Sequence, residues 1–189
     1  TILEIAGMEQ KKAVYECGVF KAGEVMRELI QDSREQFKLQ ENAVSVSGHA
    51  DCDCVIDKNS FRILIDNLMD NAIKYSRDDI HIDVEMQCTP KKFILEFSDR
   101  GIGIPPKYLK KIFSKFHRVY RKDAPNVKGT GLGLHWVKEI VKYHGGKVKA
   151  FNRENGALFL IELPIYRVTN KRHLKRILKM SRKLKAGFK

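Results

Sequence analysis

Apolar residues recur along this chain with helical and strand periods in alternation. Val25, Met26, Leu29 and Ile30 keep helical spacing within 21–39, and 2–17 is a second helix candidate. Residues 43–48 and 54–56 read as short strands. A helix capped by Asn59 or Ser60 is predicted to run to about Tyr75, burying Phe61, Leu64, Ile65, Leu68 and Ala72. Ile80, Ile82, Val84 and Met86 then alternate with His81, Asp83, Glu85 and Gln87, the pattern of a half-buried strand. Residues 89–92 turn it into an apolar strand over 93–97, and a short helix is expected over about 107–113. Residues 115–131 read as a long basic loop. A helix over 132–144 buries Leu134, Val137, Ile140 and Val141 and stops at Gly145-Gly146. Strands over about 147–151 and 157–163 flank a turn at 152–156, and Pro164 ends the domain.

Composition narrows the class. The 189 residues are 43% hydrophobic and 31% charged, as in a soluble globular protein. No apolar run approaches the ~20 residues of a membrane helix, and no signal peptide is visible at Thr1. Starting without Met, the sequence is expected to be a piece of a longer protein. The net charge of +13 is uneven: residues 1–100 carry 13 basic and 19 acidic side chains, residues 101–189 carry 23 and 4. Residues 165–189 alone hold 10 basic and no acidic ones, and 170–185 reads as a basic amphipathic helix. The charge thus describes a tail and a loop rather than a nucleic-acid binder. Cys52 and Cys54 lack the spacing of a zinc site, so the four cysteines are expected to be reduced thiols in a reducing compartment.

Three constellations can carry chemistry. Asn67, Asn71 and Lys74 stand at i, i+4 and i+7 of one helix, on one face. An amide oxygen can take one position around an octahedral Mg²⁺, and lysine is a compact partner for a phosphate. Asp99 with Gly101 and Gly103 follows an apolar strand: a carboxylate fixed there can accept from an exocyclic amine, and the glycines let a ligand approach backbone. Gly129-Thr130-Gly131-Leu132-Gly133-Leu134 leads into a helix, a ready anion site. It is not a P-loop, and neither glycine cluster fits G-x-G-x-x-G. The basic loop before it could close on phosphates.

Taken in order, Asn67-Leu68-Met69-Asp70-Asn71-Ala72-Ile73-Lys74-Tyr75, Asp99-Arg100-Gly101-Ile102-Gly103-Ile104, Phe113-Ser114-Lys115-Phe116 and Gly129 to Leu134 resemble the N, G1, F and G2 boxes of sensor histidine kinases. The resemblance covers about 20–164, within a superfamily that includes gyrase, Hsp90 and MutL. It implies the Bergerat ATP-binding fold, an α/β (α+β) two-layer sandwich with a mixed sheet and helices on one face. By the same resemblance Asn71 would hold Mg²⁺, Lys74 would meet the phosphates, and Tyr75 would pack on adenine. Asp99 would accept from the adenine amino group, with Gly101, Gly103 and Ile104 beside the base. Lys128, Gly129, Thr130, Gly131, Leu132, Gly133 and Leu134 would form the hinge and phosphate-facing turn, and Arg118 and Arg121 are further phosphate candidates. Phe113 and Phe116 are either lid anchors or core aromatics. Asn67 stands where the ATPases carry a glutamate base, a role an amide cannot fill.

One part of a complete kinase is missing. The phosphoacceptor histidine is generally followed by Glu or Asp, and the six histidines here precede Ala50, Ile82, Arg118, Trp136, Gly145 and Leu174. The expected organisation is the end of a dimerisation-type helical segment (1–19), an ATP-binding catalytic domain (20–164) with a lid at about 115–131, and a basic tail (165–189). The expected cofactors are ATP and Mg²⁺. The expected partners are a histidine-containing dimerisation domain of the same protein, a response regulator and a second copy when full length, without nucleic acid. The expected location is cytoplasmic. Two alternatives are a protein-serine kinase of the anti-sigma type and a non-catalytic ATP-gated module binding nucleic acid or membrane through its tail.

Overall fold

The computed structural model describes residues 16–77, 79–119 and 129–166. In chain order these form β1 (Gly18–Lys21), α1 (Ala22–Gln36), β2 (Val44–Ser47), β3 (Asp53–Ile56), α2 (Lys58–Lys74), β4 (Ile82–Cys88), β5 (Lys92–Asp99), α3 (Gly133–Tyr143), β6 (Lys147–Asn152) and β7 (Ala157–Pro164). The main sheet has the order β2-β4-β5-β7-β6. Its β2–β4 pair is parallel and the others antiparallel, so it is mixed. A parallel pair needs a long crossover, and β3 with α2 supplies it. β1 and β3 form a second, two-stranded antiparallel sheet.

The alternation seen in the sequence sets the layers. Ile82, Val84 and Met86 point inward with Phe93, Leu95, Phe97, Phe159, Ile161 and Leu163, while Asp83, Glu85 and Gln87 face solvent. The inner face packs in one core with all three helices: Val25, Met26, Leu29 and Ile30 of α1, Phe61 to Met69 of α2, and Val137, Ile140 and Val141 of α3. Helices on one face of a mixed sheet match the expected sandwich. α3 closes as predicted, with Gly145 at φ +74° and Gly146 N–H on the Val141 carbonyl.

Several local expectations change. The helix over 2–17 lies outside the described residues, except for Glu16 and Cys17, which are not helical. Residues 18–21 form β1, a strand that four residues could not announce. The second helix starts at Ala22 and ends at Gln36, short of 39. The expected helix over 107–113 is a 3₁₀ turn, Pro106–Tyr108, followed by hydrogen-bonded turns to His117. Pro105 and Pro106 remove two donors there. The cap of α2 is neither Asn59 nor Ser60 but Asp57, whose Oδ1 accepts from Ser60 N–H at 2.7 Å.

Asp57 also joins the two helices that frame the site. Its backbone N–H donates to His144 Nε2 at 3.1 Å, just past the end of α3, and His144 Nδ1 lies 2.7 Å from the Ile140 carbonyl. That pattern requires a neutral ring protonated on Nδ1. His144 is 1% exposed, its ring edge-on to Phe61 at 4.8 Å, with Cys17 Sγ 3.9 Å away. Burial pushes its pKa below the ordinary 6.5, against the Ile140 carbonyl and the Asp57 charge.

The cysteine expectation is overturned. Cys52, before β3, and Cys88, at the end of β4, form a disulfide with Cα atoms 6.1 Å apart. Residues 52 and 88 are too far apart in sequence for composition to pair them; the parallel β2–β4 alignment brings the two segments together. Cys17 and Cys54 are free thiols, pushed by burial up to about 11 and about 12, and are therefore poor nucleophiles.

Two outcomes follow. Intact mass without reductant should be two hydrogens below the fully reduced chain, and Cys88→Ser should lower denaturant stability by about 3–4 kcal/mol through the loop released. For His144, the depressed folded pKa means that below about pH 6.5 the unfolded chain binds the extra proton. Stability should be full above that pH and fall as pH drops from 7 toward 5. His144→Gln should flatten this slope in thermal melts.

Candidate functional site

The site gathers around the end of β5. Asp99 is the last residue of that strand and is 8% exposed. Its Oδ1 accepts from Gly101 N–H at 2.9 Å and from Ala157 N–H at 3.2 Å. Both bonds use the same oxygen, which leaves Oδ2 for a ligand donor. Burial raises the carboxyl above its ordinary 3.8, and the two N–H groups pull it back. The result is a desolvated acceptor held by backbone on two sides.

The glycines are there for space. A Cβ on Gly101 would lie 2.4 Å from the Tyr75 carbonyl and 2.9 Å from Asp99 Oδ1. The segment is stitched to the end of α2 by Ile102 N–H on the Tyr75 carbonyl at 3.0 Å and a bridge between Ser76 and Gly101. Gly103 has φ +66°, which a side chain rarely tolerates. A cavity of about 410 Å³ opens beside Gly101, Gly103 and Ile104, bounded by Arg77, Arg153 and Asn155.

α2 supplies the polar row. Asn67 and Asn71 are half-buried, and Lys74 is exposed. Asn67 Nδ2 donates back to the Ile63 carbonyl at 2.7 Å, while its Oδ1 faces the first residue of α3: a Cβ on Gly133 would sit 2.5 Å from it. The Asn67 amide is therefore held between two helices. Lys74 Nζ is on Asp70 Oδ2 at 2.5 Å, one turn back, so a phosphate would have to draw it from this pair. Tyr75 caps the helix and is half-buried.

The third segment is described from Gly129. Gly129 and Thr130 are exposed; Leu132 is buried and Leu134 half-buried at the start of α3. Gly131, at φ +71°, is pressed against Phe116 backbone, where a Cβ would meet carbonyl carbon at 2.8 Å. Gly131 thus ties the start of α3 to the residues after Phe113. Lys128 and Arg121 lie outside the described residues, and Arg118 is exposed. The two box phenylalanines separate: Phe113 is 6% exposed and edge-on to Phe159, whereas Phe116 is 63% exposed with φ +60°. Phe113 is a core aromatic.

Sequence reasoning missed the turn after β6. Ala157 N–H holds Asp99, a Cβ on Gly156 would lie 1.9 Å from the Asp99 carbonyl oxygen, and the Asn152 amide bonds Ile104 backbone. Local pattern marked 152–156 only as a hairpin turn, because every partner that matters is about 50 residues away.

Comparison with known proteins agrees with this fold. Residues 56–167 match the family model described as histidine kinase-, DNA gyrase B-, and HSP90-like ATPase. The sensor protein RprX of Bacteroides fragilis is 43% identical over 105 residues, 54% of this chain and 20% of its own. The sensor histidine kinase WalK of Bacillus subtilis is 37% identical over 112 residues, 58% of this chain and 18% of its own. The chain thus spans about a fifth of the length of these curated relatives. Among solved structures, the mycobacterial sensor histidine kinase MprB superposes with a TM-score of 0.64 at 27% identity, covering 80% of this chain and 98% of that one. With more than half its length inside the match and the same sandwich in the superposed structure, the chain belongs to the family of histidine kinase-, DNA gyrase B- and HSP90-like ATPases.

Proposed function

We propose that this chain is the ATP-binding catalytic domain of a two-component sensor histidine kinase. The observation that carries it is Asp99, a buried carboxylate with one oxygen held by Gly101 and Ala157 and the other left for a base amine. That acceptor suits the adenine amino group and repels the carbonyl oxygen guanine presents at the same place. Gly101, Gly103, Ile104 and Tyr75 line the base side. Gly129 to Leu134 supply backbone N–H groups at the start of α3 for the phosphates, and Lys74 and Lys128 supply charge.

The donor set fits Mg²⁺ held largely by phosphates and water: Asn71 offers one amide oxygen, and among the described residues no group of three His, Cys, Asp or Glu could cage a metal. The ion would neutralise charge on the phosphates. The chain's own residues position the nucleotide, which is most of what phosphoryl transfer requires. Asn67 has no basic function to activate water, so the site favours transfer over hydrolysis.

The γ-phosphate would pass to a histidine on a dimerisation domain of the same protein and then to a response regulator, with two copies paired when full length. Residues 1–19 would end that helical segment, 20–164 would be the catalytic domain, and 165–189 a basic tail. A domain that uses ATP would lie in the cytoplasm. There the Cys52–Cys88 bond would stand against a reducing pool, so its oxidation state in freshly lysed cells bears on this placement.

Calorimetric titration tests the site. ATP should bind the chain with Mg²⁺, and Asp99→Asn should weaken it by about ten-fold or more, the scale of a hydrogen bond to a charged acceptor. Because the Asp99 carboxyl is raised, it protonates at a higher pH than an ordinary one. Affinity should be full above that range and fall as pH drops through it, with Asp99→Asn insensitive to the change. Transfer to an added histidine-bearing dimerisation domain should yield acid-labile phosphate; phosphate on serine instead would favour the anti-sigma type of kinase.

A further inference from the structure

Outside the boxes, Asn152 at the end of β6 makes a specific long-range contact. Its Oδ1 accepts from Ile104 N–H at 2.8 Å and its Nδ2 donates to the Ile104 carbonyl at 2.5 Å. One side-chain amide therefore satisfies both backbone groups of a residue 48 positions away, as a neighbouring strand would. The fit is close on either side: a Cβ on Gly103 would lie 3.2 Å from Asn152 Oδ1 and 3.3 Å from the Gly156 carbonyl oxygen. The same turn holds the other end of the segment, because Ala157 N–H bonds Asp99.

Past Asp99 the chain leaves the sheet and residues 100–104 are irregular, yet the segment from Asp99 to Ile104 is fastened at both ends to one hairpin. Arg100 N–H on the His81 carbonyl and Ile102 N–H on Tyr75 hold the opposite side. We infer that Asn152 is a positioning residue for base recognition: it fixes the backbone of Gly103 and Ile104 so that the base is presented squarely to Asp99. Among the described residues its side-chain hydrogen bonds both go to Ile104. Its effect falls on which base is bound and how tightly, not on the polyphosphate.

This inference rests on the proposed ATP site, so the experiment keeps the two apart. ATP and GTP affinities are measured by calorimetry, GTP as a competitor where it is weak, for the unaltered chain, Asn152→Ala and Lys149→Ala. Lys149 lies in β6, the strand that ends at Asn152, and is exposed away from the cavity. Asn152→Ala should weaken ATP about ten-fold, the scale of two ordinary hydrogen bonds, and should lower the ATP-to-GTP preference by a similar factor. Lys149→Ala should match the unaltered chain. A role confined to general stability would weaken both nucleotides alike and leave the preference unchanged, which would overturn the inference, as would unchanged ATP affinity in Asn152→Ala. Amide hydrogen exchange without nucleotide gives a second readout: Ile104 should be protected in the unaltered chain and exchange faster in Asn152→Ala, with Ile161 in β7 unaffected. Unprotected Ile104 in the unaltered chain would overturn the clamp itself. Failure of the unaltered chain to bind ATP would instead overturn the proposed site, and exchange at Ile104 would still decide the clamp.

Discussion

A carboxylate at the end of a buried strand must be satisfied by groups that are already in place. Asp99 is that group here, and much of the surrounding backbone follows from it. Gly101 must turn back sharply enough to donate its N–H, so it lies against the Tyr75 carbonyl and cannot carry a side chain. Ala157 must bring a second N–H from the neighbouring strand, so Gly156 before it is pressed onto the Asp99 carbonyl oxygen. The first commitment joins the segment to α2, the second joins it to the β6–β7 hairpin. A single buried acid thus brings three otherwise separate pieces of chain into contact.

A second constraint runs through the helices. α2 lies between α1 and α3, and its apolar stripe fixes its rotation, which sends Asn67 and Asn71 away from the core. Its start is capped by Asp57, which is also bonded to His144 at the far end of α3. The two helices that present the polar row and the glycine-rich turn are therefore coupled at one end by a neutral histidine and at the other by the Asn67–Gly133 contact. Lys74 is the exposed member of this row and is paired with Asp70 until something more negative displaces it.

What the sequence made legible was whatever repeats or stays local. The stripe of α2, the alternation of β4 and the glycine stop of α3 are periodic or contiguous signals, and each appears where it was expected apart from a residue or two at the ends. The polar and glycine boxes were legible as an ordered set, through its resemblance to sensor histidine kinases, and not from any one of them alone. The remainder depends on distance. β1 is too short to carry a period. Asp57 lies one residue before the helix, outside the pair of caps the pattern offered. The Cys52–Cys88 bond and the Asn152–Ile104 clamp join segments that only the completed sheet brings together. Phe116 was indistinguishable from Phe113 by type, and only packing separated an exposed ring from a core one.

The absent side chain at position 133 has a mechanical consequence. With Asn67 Oδ1 only 2.5 Å from where a Cβ would sit, the Asn67 amide has room against α3 only because position 133 carries a hydrogen there. A methyl group there would push on the Asn67 amide, which would have to turn and give up its bond to the Ile63 carbonyl for the two helices to keep their spacing. The pose of that amide is thus preserved by a residue whose own contribution is to take up no room.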